Sequence, residues 1–429
     1  MADRSSGGGH RHHLPDVRAL RAPAAQSAGG ANPPLRGTGQ RRADGAVALP
    51  ESAGAGHRHF LFFFSDTGGG HRACAEAVAE AVAEHGRADV TLVDIFRASQ
   101  RFPFTRFPEL WPVISGGRGR AWGLFYRLSN HPLLVRSAHT AFWPYVRRAL
   151  LTMLITHPAD LIVSFHGIPN LSLLWAWRAL PHQPPLVSVT QDLISVHAAF
   201  FPPGFDLYFV PTETARRKAI GWGIAPERIR AIGNPVRPSL VRDARQPQQQ
   251  ARRRLGLDEQ ARWVLITGGG DGRGGIARIL SKLARLRAGT HVIVITGRNE
   301  ALRRRLHALQ LPLHLRIEGF VERMGLWLNA ADVVVTKAGP NALAELFIAG
   351  RPAVLFRAIP GQETGNVTYA VEGGAARWAP TPDAAAHAII RLLEDDALRR
   401  RMGSAARRLA RPQAAATVAE ALFRLVEAR

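Results

Sequence analysis

Apolar residues fall into short blocks separated by glycine-rich or polar stretches. Phe60-Leu61-Phe62-Phe63-Phe64 is the first, of a length that fits a buried strand. Ser65-Asp66-Thr67-Gly68-Gly69-Gly70-His71 follows, and from Ala73 to Glu84 apolar residues recur at helical spacing. Val90 to Ile95 reads as a second strand. Strand, glycine-rich turn, helix and strand make a βαβ unit. Leu161 to Phe165, Leu186 to Thr190 and Leu207 to Val210 add strands of the same kind, so the first half is expected to be a parallel α/β domain.

The pattern then repeats. Gln246 to Gln250 is a polar stretch, fit for a linker or the start of a helix. Trp263 to Thr267 reads as a strand, Gly268 to Gly275 as its turn and Ile276 to Leu286 as its helix. Val292 to Thr296, Leu315 to Glu318, Val333 to Thr336 and Ala353 to Phe356 continue the strands, with helices such as Ala342 to Ile348 between them. Two Rossmann-like halves predict a cleft between them. Residues 1 to 57 lack any apolar period and are rich in Gly, Ala, Pro, Arg and His, the composition of a disordered tail. The expected organisation is therefore a tail over 1–57, an N-terminal domain over 58–240 and a C-terminal domain over 241–429.

Lys and Arg total 56 against 33 acidic residues, a formal +23, and only Lys218, Lys282 and Lys337 are lysines. A coding bias toward Arg and Ala is one origin; in either case the field favours nucleic acid, acidic lipid surfaces or nucleotide substrates. The single cysteine, Cys74, excludes an intrachain disulfide framework and favours a reducing compartment. No apolar run reaches the ~18 residues needed to span a bilayer, and the first residues lack a signal peptide's apolar core. His10, His12 and His13 fit a solvated tail better than a metal site.

Residues 101–150 are the most unusual segment. They hold Arg101, Arg106, Arg118, Arg120, Arg127, Arg136, Arg147 and Arg148 against the lone acid Glu109. Among them stand Phe102, Phe104, Phe107, Trp111, Trp122, Phe125, Tyr126, Phe142, Trp143 and Tyr145. Basic plus aromatic fits an interfacial membrane segment. It also fits single-stranded nucleic acid, and part of it fits core helix.

Four turns carry candidate chemistry. Gly268 to Gly275 lies between strand and helix, where glycines admit a phosphate and the helix N-terminus favours an anion; a plain tight turn is the alternative. It lacks the P-loop spacing. His71 begins a helix, where the dipole disfavours a cation, so a neutral imidazole fits a general base or hydrogen-bond donor; an exposed loop histidine is equally compatible. Asp192 and His197 follow a strand, where α/β sheets bind ligands, and fit catalysis, acceptor contact or a structural turn. Glu345 fits either a ribose-binding carboxylate or a surface helix acid.

Taken together, these motifs resemble the monogalactosyldiacylglycerol synthase and processive diacylglycerol glucosyltransferase group, related to the peptidoglycan N-acetylglucosaminyltransferase MurG and of GT-B fold. The resemblance runs from Phe60 to about Leu393. It rests on Ser65 to His71, Asp192 to His197, Gly233 to Arg237, Gly319 to Val321, Thr336 to Pro340 and Pro360 to Asn366. It implies an inverting transfer of glucose or galactose from a UDP-sugar to the hydroxyl of diacylglycerol, or of another lipid such as a polyprenyl-linked or sterol-like one. A nucleic-acid-binding protein and a sugar-nucleotide epimerase are the rival readings.

The resemblance also implies residue roles. His71 would lie near the anomeric carbon and the attacking hydroxyl, with Asp192 as the other catalytic candidate. Asp66, Thr67, Gly70, His197 and Phe200 would line the acceptor side, and Trp111, Arg118, Arg120 and Trp122 would meet the membrane. Phe320 would stack on uracil, the Val321 backbone would read its edge, and Glu345 would bind the ribose. Arg237, Gly269 and Gly270 would hold the diphosphate. Gln362 and Glu363 would hold the sugar, beside Gly339, Pro340 and Asn341. Gln191, Phe200 and Asn341 depart from the usual Thr, Trp and Gly. No metal or cofactor is implied, and nucleic acid is not an expected partner. UDP-glucose or UDP-galactose, diacylglycerol and anionic membrane lipids are expected, as is a peripheral place on the cytoplasmic face of the plasma membrane.

Overall fold

In the computed structural model, the described residues are 46–48, 57–67, 69–99, 104–106, 109, 119–268 and 275–429. The first sheet contains β1 (Ala46–Ala48), β2 (Arg58–Phe64), β3 (Ala88–Asp94), β4 (Leu161–Ser164), β5 (Leu186–Val189), β6 (Leu207–Val210) and β7 (Ile229–Ala231). Their order is β1-β3-β2-β4-β5-β6-β7, and all pairs are parallel except β1 with β3. β1 lies inside the stretch expected to be disordered. Its Ala46-Val47-Ala48 covers the outer edge of β3, which would otherwise present unpaired backbone groups. The rest of residues 1–56 lies outside the described residues.

The phenylalanine run forms the middle of this sheet because alternate side chains can be buried on both faces. Phe60, Phe62 and Phe64 pack against helix α1 (Gly70–His85), and Leu61 and Phe63 pack on the opposite face. Helices α2 (Gly119–Ser129) and α3 (Pro132–Thr156) form most of the basic-aromatic segment. Pro132 fits the first turn of α3, where its missing N–H has no partner to lose.

The second sheet contains β8 (Trp263–Thr267), β9 (His291–Ile295), β10 (His314–Glu318), β11 (Val333–Lys337), β12 (Ala353–Arg357) and β13 (Ala376–Trp378). Its order is β10-β9-β8-β11-β12-β13, parallel throughout. Helices α4 (Ile276–Leu286), α5 (Pro340–Ala349) and α6 (Thr364–Glu372) belong to this half. The last helix, α7 (Ala414–Glu427), does not stay with it. Its Ala415, Val418, Leu422 and Phe423 join the core of the first sheet, with the Phe423 ring 5.3 Å from that of Phe60. The chain end thus returns to the half in which the fold began, beyond the boundary expected near residue 241.

Candidate active site

The loops at the C-terminal ends of strands in the two sheets meet one another. After β2 comes Ser65–Gly70, after β4 Phe165 and His166, after β5 Thr190–His197. From the second sheet come Ala338–Asn341 after β11 and Ala358–Glu363 after β12. This is the edge at which parallel α/β sheets bind ligands. Asn341 Nδ2 donates to the Gly70 carbonyl at 2.7 Å, and its Oδ1 accepts from Asn234 at 2.9 Å. Asn366 Oδ1 accepts from the Leu193 amide at 3.0 Å, and the Gly365 amide donates to Ser195 Oγ at 3.2 Å. Asn341 and Asn366 therefore pin the two halves together around the site.

His71 stands at the start of α1, after Gly69, whose φ of 78° turns the chain into the helix. Its Nδ1 lies 2.8 Å from the Phe165 carbonyl. A carbonyl only accepts, so Nδ1 carries the proton and the Nε2 lone pair is left free. No described residue bonds Nε2. The residue is half-buried, and desolvation pushes the imidazole down to about 4. The Phe165 carbonyl, with the Gln191 side chain nearby, opposes that shift without cancelling it. Gln191 Nε2 donates to the same Phe165 carbonyl at 3.1 Å and to that of Val189 at 3.0 Å. The His166 ring lies edge-on at 4.3 Å, and burial followed by the His71 charge drives its pKa down as well. Both imidazoles are neutral at ordinary pH.

Asp192 is 6 % exposed and turns toward the second half. Burial raises its carboxyl to about 7, aided by the Glu363 charge and opposed by Asn366, Gln362 and Lys337. Glu363 is itself held on both oxygens, by Lys337 Nζ at 3.0 Å and the Ile359 amide at 2.8 Å. Lys337 reaches it over Gly339, where a Cβ would stand 2.9 Å from Nζ. Pro340 begins α5, and Gln362 is half-buried with its Oε1 unpaired.

Glu345 sits on α5 with no hydrogen bond from any described residue. Burial pushes its carboxyl up to about 7, against the pull of Arg237. Arg237 spans to α1, where Nη2 meets Glu76 Oε2 at 2.9 Å. Phe320 is 59 % exposed, with the Arg298 guanidinium 5.5 Å from its ring centre. A bare ring beside a cation is a platform for a planar, electron-rich group. Val321 packs against the core below it.

Other expected residues have structural partners. Asp66 grips Arg72 through two bonds, of 2.5 and 2.6 Å; burial acts to raise its carboxyl, but Arg72 outweighs burial and holds it below its ordinary value. Thr67 bonds Ser65 and lies 3.4 Å from His166 Nε2. His197 accepts from the Ala199 amide and meets Ser129 Oγ, so both its ring nitrogens are engaged. Phe200 is buried and fills the space over Gly167, 6.4 Å from His71 between ring centres. Trp122 lies in α2 beside Phe125 and Tyr126. Trp111, Arg118, Gly269 and Gly270 lie outside the described residues, as does the Arg120 side chain. His166 is in none of the motifs read from the sequence, Tyr126 stood only among the aromatics of residues 101–150, and Lys337 only inside the Thr336 to Pro340 motif; long-range packing brings them to the site.

A sequence model of the monogalactosyldiacylglycerol synthase family matches residues 71–236. One of the glycosyltransferase family 28 C-terminal domain matches residues 263–418. A probable monogalactosyldiacylglycerol synthase 2 of Oryza sativa subsp. indica is 31% identical over 409 residues, covering 89% of this chain and 84% of the relative. Monogalactosyldiacylglycerol synthase 2 of Arabidopsis thaliana is 30% identical over 386 residues, covering 87% and 82%. Among solved structures, Acinetobacter baumannii MurG matches with a TM-score of 0.56 at 17% identity, over 86% of this chain and 99% of that one. The calicheamicin glycosyltransferase CalG4 matches with a TM-score of 0.55 at 19% identity, over 86% and 98%. The fold is GT-B, as expected from the sequence.

Proposed function

The chain belongs to the monogalactosyldiacylglycerol synthase family of glycosyltransferases, and from that premise we propose that it moves a hexose from a UDP-sugar to the free hydroxyl of diacylglycerol, with inversion, at a membrane surface. The observation that carries this reading is His71, whose Nδ1–H is fixed by the Phe165 carbonyl while the Nε2 lone pair is left unbound.

In this mechanism the donor lies along the second half. Uracil stacks on Phe320 with its edge near the Val321 backbone. Glu345, the unpaired carboxylate, accepts from the ribose diol. The amide end of α5 faces the diphosphate, as an anion at a helix N-terminus requires. Gln362 and Glu363 hold the hexose hydroxyls. The acceptor hydroxyl attacks the anomeric carbon from the side opposite UDP. As the new C–O bond forms and the old one breaks, the hydroxyl proton passes to His71 Nε2. The growing diphosphate charge meets the helix N-terminus and Arg237. Asp192 is the alternative base, and its pKa near 7 suits proton transfer at neutral pH.

The lipid side is carried by α2 and α3. Leu124, Phe125, Leu128, Leu133, Leu134 and Phe142 are each more than half exposed. Such a cluster in water is costly unless a partner covers it. Neither helix contains an acid, and Arg127, Arg136 and Arg148 are exposed among these residues. Among the described residues no helix is long and apolar enough to cross a membrane. Shallow insertion beside anionic headgroups, on a cytoplasm-facing membrane, fits this arrangement. Purified protein given vesicles with diacylglycerol and either UDP-glucose or UDP-galactose tests the proposal. UDP release that requires diacylglycerol is expected; release equal without it contradicts the acceptor assignment.

A further inference from the structure

Helix α2 has two faces with different duties. Outward it shows Leu124, Phe125 and Leu128, at 59, 58 and 63 % exposure. Inward it holds the loop that follows Asp192. Tyr126, buried, donates its hydroxyl proton to the Ser195 carbonyl at 2.7 Å. Ser129 Oγ meets His197 Nε2 at 3.2 Å. Just past the helix, Asn130 donates to the Val196 carbonyl at 3.0 Å and accepts from the Ala198 amide at 2.7 Å. The same helix touches the sugar-side loop. Gly123 sits against Pro360, where a Cβ would stand 3.0 Å away, and Gly361, with φ of 80°, would put a Cβ 2.9 Å from the Gly123 carbonyl. Only glycines permit that approach. One turn of helix thus lies between an exposed apolar surface and both the Asp192 and the Pro360–Glu363 loops.

We propose that Tyr126 is a positioning residue that couples docking of the outer face of α2 on a lipid bilayer to the loop carrying Asp192. The inference rests on the proposed function, since it takes the acceptor to be a lipid. The bilayer is the occupant that matches the outer face, because the apolar surface continues onto α3 and is flanked by exposed arginines without an acid. Tyr126 has one proton and gives it to Ser195. It has no second proton to offer Asp192. After burial, the Asp192 charge is the next cause holding the Tyr126 hydroxyl well above its ordinary pKa. A shift of α2 on docking therefore moves the Ser195–Ala198 backbone that it holds, just past Asp192.

The test compares turnover on a short-chain diacylglycerol dispersed below its aggregation limit with turnover on the same acceptor in vesicles. Wild type and Tyr126→Phe are measured side by side, with vesicle flotation in parallel. The wild type is expected to work faster on vesicles. Tyr126→Phe should float as the wild type does and keep its KM for UDP-sugar within about twofold. Its vesicle-to-dispersed ratio should fall roughly three- to tenfold, the range for losing one hydrogen bond. An unchanged ratio in a variant that floats normally overturns the proposal. Hydrogen exchange on the wild type gives a second readout, independent of the variant's folding. The Leu193 and Ala198 amides should exchange more slowly when acceptor-free vesicles are added, and equal exchange also overturns it. Absence of UDP release on either form of acceptor would instead defeat the diacylglycerol reading, while the exchange measurement still judges the coupling.

Discussion

Replacing Asp192 by Asn should make the protein more stable in base while impairing catalysis. Asp192 is 6 % exposed, and burial, with the Glu363 charge, raises its pKa from 3.8 to about 7. Between those pH values the folded protein keeps a proton that the unfolded chain has released. Stability from this group is therefore lost as pH rises through that window and levels off above about 7. At ~1.4 kcal/mol per pH unit the ionised carboxylate costs the fold on the order of 2–4 kcal/mol by pH 8. Asn has nearly the same shape and no charge, so Asp192→Asn removes the penalty. Glu345 is also raised to about 7 by burial and gives both proteins a similar slope, which cancels in their difference. Urea denaturation at pH 4.5, 6, 7 and 8 measures that difference, which should grow with pH by about 2 kcal/mol or more. Parallel curves would mean instead that Asp192 is ionised in the fold at no cost.

His71→Ala should lower turnover about 10²–10⁴-fold with UDP affinity unchanged, as measured by steady-state rates and calorimetry; a loss below tenfold would transfer the base role to Asp192. The pH–rate profile separates the two, because burial holds His71 neutral down to about pH 4. At saturating UDP-sugar, where Glu345 ionisation no longer limits binding, His71 as sole base gives a flat rate from pH 5 to 8, whereas a base Asp192 gives a rise near pH 7 that Asp192→Asn abolishes. Phe320→Ala and Glu345→Gln should each weaken UDP binding by about 1–3 kcal/mol in calorimetry, through lost stacking or lost charged hydrogen bonds. Phe125→Ser with Leu128→Ser should reduce flotation with anionic vesicles and leave UDP affinity as it was; unchanged flotation would remove α2 from the docking surface.

The strands and glycine turns were legible because burial on both faces requires a continuous apolar run, and a strand-to-helix turn requires small residues. Phe60–Phe64 and Trp263–Thr267 are examples. β1 and β13 escaped notice because three-residue edge strands carry too little pattern. His71 and Glu363 could be placed at strand-end loops from the motifs that hold them, whereas Glu345 took its expected ribose role only from the family resemblance. The site was not legible where side chains from distant segments converge. Tyr126 reaches Ser195 across 69 positions, and Asn341 reaches Gly70 across 271. Arg237 was expected to be free for phosphate, and its pairing with Glu76 on α1 could be seen only once the two halves met. Nor does a sequence show that the aromatics of residues 101–150 divide between a buried Tyr126 and an exposed Phe125 one position earlier.

The chemical identity of the lipid product decides whether this chain glycosylates diacylglycerol. Purified protein is incubated with diacylglycerol vesicles and, separately, UDP-glucose and UDP-galactose, and the lipid fraction is examined by mass spectrometry and proton NMR. A monohexosyl diacylglycerol is expected, with an anomeric configuration opposite to that of the donor and one UDP released per sugar transferred. Free hexose and UDP without glycolipid, an epimerised donor, or a product that keeps the donor configuration would contradict it.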